Sequence, residues 1–108
     1  MKVRAVTGGR SILSPANGGV TVFTSQTAVT LAAHSDHRKS ILVANQGTSK
    51  LYVKLGTAAT TSSWHFVLPP GGADDDGTGG TVSIDGYVGA ISVIPATSSG
   101  RVSYVEFG

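Results

Sequence analysis

The chain contains no cysteine, so disulfides and thiolate metal sites are excluded. Charge is scarce as well: Asp, Glu, Lys and Arg make up 13% of the 108 residues, where a soluble domain carries about 25%. A surface so poor in charge is covered by Ser, Thr, Gly and Asn, or by other protein. The second case points to an assembly subunit. Aromatic residues are 6%, too few for the interleaved aromatic and basic rows of a nucleic-acid groove. No apolar run approaches the roughly 18 residues of a membrane span. The basic start "MKVRAVTGGR" is followed by no apolar stretch, so no secretory signal is expected and synthesis in a cytoplasm is. Glu106 is the only glutamate, which excludes a paired-glutamate hydrolytic site. There is no G-x-S-x-G elbow and no phosphate loop, since "VTGGR" and "PANGG" lack the lysine and the following helix.

Glycine, by contrast, is abundant. Fifteen glycines and four prolines are scattered as turn punctuation. Between them the apolar residues recur with period two, and no stretch of a dozen residues carries helical spacing. "GVTVF" (19–23) and "TAVTLAA" (27–33) read as strands, the latter with Val29, Leu31 and Ala33 on one face. "RKSILVANQG" (38–47) is apolar on both faces, which suits a central strand. "KLYVKLG" (50–56) alternates, with Leu51, Val53 and Leu55 inward and Lys50, Tyr52 and Lys54 outward. The "NQGTS" between these two strands predicts an antiparallel hairpin. "WHFVLPPGG" (64–72) is a strand ended by two prolines. "TVSID" (81–85), "GAISVIPA" (89–96) and "RVSYVEF" (101–107) complete about eight short strands. The stretch "GTAATTSS" (56–63) reads as a loop or a single helical turn. The predicted fold is all-β: a single-domain antiparallel β-sandwich, jelly-roll-like, over residues 19–108, with residues 1–18 as an extended N-terminal arm.

Charge is unevenly placed along the chain. Residues 1–54 hold seven basic side chains against Asp36, and residues 55–108 hold Arg101 against five acids, giving +6 and −4. Either the fold separates these halves into a polar molecule, or the halves interleave and the asymmetry averages out.

Three local clusters bear on chemistry. In "GGADDDGTGG" (71–80), Asp74, Asp76, Thr78, Gly79 and Asp85 follow the spacing of a calcium loop. Thr78 and Asp85 are weak substitutes, however, and the flanks are strands rather than helices, so a solvated loop is expected and no metal. "HSDH" offers His34, Asp36 and His37, with His65 elsewhere as a further imidazole. A polar hairpin turn is the expectation there. Lys50, Tyr52 and Lys54 share one strand face, expected as a solvent face, while Trp64 and Phe66 are expected as core or interface anchors with His65 opposite. No catalytic constellation emerges and no cofactor is expected.

Two stretches carry a resemblance. "RKSILVANQGTSKLYVKLGTAAT" (38–60) and "SIDGYVGAISVIPATSSGRVSYVEF" (83–107) resemble the strand-and-turn pattern of small virion proteins of tailed bacteriophages, of the capsid decoration (cement) type. The likeness covers roughly residues 37–108. The long "PPGGADDDGTGG" departs from the compact turn of that pattern. The resemblance implies a non-enzymatic virion protein on the capsid surface, bound to the major capsid protein and associated as a homo-oligomer, a trimer first, with no nucleic acid or membrane partner. Lys2, Arg4 and Arg10 would then carry capsid binding from the arm. A receptor- or carbohydrate-binding virion module, with Trp64 or Tyr87 stacking on a sugar, and a head–tail component are the alternative readings.

Overall fold

The computed structural model describes residues 15–71 and 79–108. It is all-β, with eight strands in two antiparallel sheets: β1 (Pro15–Phe23), β2 (Val29–Ala32), β3 (Ser40–Asn45), β4 (Leu51–Leu55), β5 (Phe66–Leu68), β6 (Thr81–Asp85), β7 (Ile91–Pro95) and β8 (Gly100–Phe107). Sheet A has the order β1-β8-β3-β6, and sheet B the order β2-β7-β4-β5. The pairings β1 with β8, β2 with β7, β3 with β6 and β4 with β5 are nested. The chain is in effect one long hairpin, folded over so that its two arms alternate in both sheets. Each sheet therefore alternates strands from the first half of the sequence with strands from the second, while Lys2, Arg4, Arg10, Asp74, Asp75 and Asp76, which make up much of the charge asymmetry, lie outside the described residues.

The core lies where the two inner strands of each sheet face each other. Ile41 and Val43 on β3 and Val102 on β8 come from sheet A; Leu51 and Val53 on β4 and Ile91 and Val93 on β7 come from sheet B. All seven are fully buried. Period two explains this set: alternate residues of each strand turn inward, and burying each aliphatic side chain contributes about 1.5–3 kcal/mol.

Two sequence expectations are corrected. β3 and β4 do not form a hairpin; they belong to different sheets. β3 is apolar on both faces and takes a central place between β8 and β6. The five residues after it cross to the other sheet. Asn45 organises this crossing. It is fully buried, its Nδ2 donates to the carbonyls of Ser49 (2.8 Å), Leu68 (3.0 Å) and Pro69 (3.0 Å), and its Oδ1 accepts the Gly47 N–H (2.9 Å). The segment that contains "HSDH" is likewise no hairpin turn, since it joins β2 of sheet B to β3 of sheet A.

In β2 the alternation breaks. Register shifts between Thr30 and Ala32, so Ala32 is buried and Ala33 exposed, the reverse of the expected face. Such a bulge inserts one residue and reverses the phase beyond it. Strand β1 starts at Pro15, so residues 15–18 lie in the sheet. Residues 56–63 contain no helical turn.

Candidate functional site

Arg38 is one of the buried polar groups that position the surface. In the fold Arg38 is only 4% exposed. Its Nη1 donates to Glu106 Oε2 at 2.7 Å and to the Ala33 carbonyl at 3.2 Å. Nε donates to the Tyr87 carbonyl at 3.1 Å, and Nη2 to the Gly89 carbonyl. One guanidinium thus ties the β2–β3 connection, the β6–β7 connection and the C-terminal end of β8. It satisfies the rule that a buried charge is paired and hydrogen-bonded. A signal for it existed in the sequence: Val102, Tyr104 and Glu106 share one phase of β8, and a lone glutamate on an apolar phase requires a buried cation.

The Arg38 and Asn45 clusters pin β3 at its two ends, and they leave the outer faces of the sheets for contact. The outer face of sheet A follows from the strand register. Val20 and Val22 on β1 pair with Ser103 and Arg101 on β8, and Leu42 on β3 pairs with both Val105 and Ser83. Val20 is 53% exposed, Val22 63% and Leu42 38%. Among the described strand residues, the charges on this face are Arg101 and, at the opposite corner, Asp85. Among the described residues β1 has no partner on its outer side. It is nine residues long, uncharged, and free of proline after its first residue. The other edge strands are shorter: five residues in β6, four in β2 and three in β5. Long, uncharged edges recruit another strand unless they are protected.

The outer face of sheet B is different. Tyr52 on β4 pairs with Val67 on β5 and with Ile94 on β7. Trp64 lies against Tyr52, with ring centroids 5.3 Å apart and planes tilted by 35°. Trp64 and Val67 are each 40% exposed, so Trp64 is a surface ledge and no core anchor, whereas Phe66 does pack against the core. The segment 56–65 that carries Trp64 is fixed to the sheet. The Ala59 N–H donates to Ser92 Oγ (2.7 Å), Lys54 Nζ to Ser63 Oγ (3.0 Å), and the His65 N–H to the Val53 carbonyl (2.8 Å). His65 Nδ1 accepts the Leu55 N–H at 3.0 Å. Tyr87 is no stacking platform: it packs against the core and its hydroxyl donates to the Ala90 carbonyl at 3.0 Å.

The remaining candidates are dispersed. His34 Nε2 meets Asp36 Oδ1 at 2.7 Å on an exposed turn, and His37 is exposed. Among the described residues no group of three His, Cys, Asp or Glu is placed to hold a metal ion. Of the calcium-like spacing, Asp74, Asp76 and Thr78 lie outside the described residues; Asp85 is the last residue of β6, paired with Ser40. Lys2, Arg4 and Arg10 also lie outside the described residues. No described helix is long and apolar enough to cross a membrane. A hollow of about 210 Å³ between β1, β8 and the β3–β4 turn is lined by residues including Phe23, Gly47 and Arg101, below the about 300–1,000 Å³ of small-molecule sites. No family model, curated protein or solved structure matches this chain.

Proposed function

We propose that this protein is a bacteriophage capsid decoration protein: a non-enzymatic subunit that binds the outer surface of the major capsid shell and stabilises it. The observation that carries the reading is the nine-residue, uncharged outer edge of β1, flanked by exposed Val20 and Val22. Such an edge is costly for a solitary monomer and useful to a subunit that assembles. The nested strand pairing also supports a jelly-roll reading, a fold class frequent in capsid proteins.

The mechanism is adhesive. A neighbouring strand added to β1 brings main-chain hydrogen bonds, and the valines bring apolar contact. Self-association, with a trimer as the first expectation, multiplies weak contacts through effective concentration. Binding that favours the expanded shell stabilises that state by mass action. Lys2, Arg4 and Arg10 come before β1 in the sequence, and in this reading they add cationic contacts with the shell. The test is co-sedimentation of the purified chain with expanded, undecorated capsids. Saturable binding at hundreds of copies per particle is expected, and it falls away when residues 2–14 are deleted. Six or twelve copies would indicate a connector, and absence of binding would remove the proposal.

A further inference from the structure

We propose that the outer face of sheet B is a binding site for an acidic sugar chain, with Trp64 as the stacking platform and Lys50 and Lys54 as the carboxylate contacts. The site is separate from the sheet A edge and does not depend on the capsid proposal.

The first ground is an aromatic ledge that is exposed yet fixed. Trp64 leaves 40% of its surface in water, as does Val67, while the segment behind it is bonded to β4 and β7 through Ala59, Ser63 and His65. A ring held this way loses little conformational freedom when a ligand settles on it. Trp64 and Tyr52 already cover one another at 5.3 Å, so one outer ring surface is left for a flat apolar group. The C–H face of a pyranose fits such a surface.

The second ground is charge. Residues 37–71 contain no Asp or Glu, and no strand of sheet B carries one. Strand alternation puts Lys50, Tyr52 and Lys54 on one face. The two lysines flank Tyr52 at about 7 Å on either side. Lys54 spends one of its three donors on Ser63 Oγ at 3.0 Å and keeps two. The hydroxyls of Thr60, Thr61 and Ser62, all exposed, supply neutral donors and acceptors in the segment that leads into Trp64, those of Thr60 and Ser62 lying 3.4 Å from each other. The ligand these groups recognise is flat on one face, rich in hydroxyls and negatively charged, which describes a uronate-bearing oligosaccharide. Single-stranded nucleic acid is disfavoured because it needs successive stacking rings along a basic groove, and this face offers one ring and two lysines.

Trp64 is the only tryptophan, so intrinsic fluorescence reports on this face. The full chain is titrated with oligogalacturonate and with hyaluronan oligosaccharides, then with methyl-esterified oligogalacturonate and with oligothymidylate. The expected result is a saturable emission change with at least one of the two acidic sugars. The same backbone binds about tenfold more weakly when esterified. Lys50→Gln and Lys54→Gln each weaken binding about threefold, and calorimetry shows binding lost in Trp64→Ala. Lys50 is exposed, so its variant keeps the proposal testable should Trp64→Ala fail to fold. The proposal is overturned if neither acidic sugar changes the emission, if esterification or the lysine substitutions leave affinity unchanged, or if oligothymidylate binds more tightly than both sugars.

Discussion

Replacing Glu106 by Gln tests the internal architecture most sharply. The change is nearly isosteric and removes one charge. In the native fold the Arg38 guanidinium is buried, its side chain 1% exposed and that of Glu106 10%. Three carbonyls, those of Ala33, Tyr87 and Gly89, also accept from it. Glutamine still offers an oxygen to Nη1, but the cation then has only dipoles around it. Removing one member of a buried ion pair costs about 3–5 kcal/mol, because the remaining charge has no counter-ion and no water. A domain of this size has a total stability of about 5–15 kcal/mol. With a urea m-value of about 2 kcal/mol/M, the unfolding midpoint falls by roughly 2 M. Urea titration followed by far-UV circular dichroism and by Trp64 emission measures it. Arg38→Met should cost at least as much, since it orphans three carbonyls and leaves Glu106 alone. The double variant Arg38→Met/Glu106→Leu should lose less than the two single losses together, because no unpaired charge remains. A loss below about 1 kcal/mol for Glu106→Gln is the behaviour of an exposed pair and would refute the staple.

Three more outcomes are expected. Asn45→Ala leaves the Gly47 N–H and three carbonyls without their side-chain partner and should cost about 3 kcal/mol in the same urea assay. Gly47→Ala would place a Cβ 2.7 Å from the Arg101 backbone nitrogen, so a backbone shift is forced and the melting temperature should drop by several degrees, or about 1 kcal/mol or more. Val22→Lys puts a charge on the 63% exposed edge position; it should leave the urea midpoint within about 0.5 kcal/mol of native and weaken self-association in sedimentation velocity.

The alternation in "KLYVKLG" and "RVSYVEF" made the inward faces of β4 and β8 readable, and the two-faced apolar character of "SILVAN" made its central position readable. Pairing partners were not. The turn chemistry of "NQGTS" favours a hairpin locally, but the choice between a hairpin and a sheet-to-sheet crossing is made by Asn45. Its partners Leu68 and Pro69 lie more than twenty residues away. The same holds for Arg38, whose partners come from residues up to 68 positions distant. Nothing local separates such a residue from a solvated charge; only the phase of Glu106 in β8 gives the hint. The bulge in β2 is also invisible in sequence, since "TLAA" offers an alanine to either phase. Trp64 was legible as unusual, but its exposure depends on Tyr52 and on how the preceding loop is tied down.

The proposed function rests on attachment through β1, which among the described residues is an edge strand of sheet A. Hydrogen–deuterium exchange of the peptide spanning Pro15–Phe23, free and after addition of expanded capsids, tests it most directly. Amides on the outer side of β1 should exchange quickly in the free protein and become protected by at least about tenfold on the shell. Unchanged exchange across β1 in a capsid-bound sample would contradict the account.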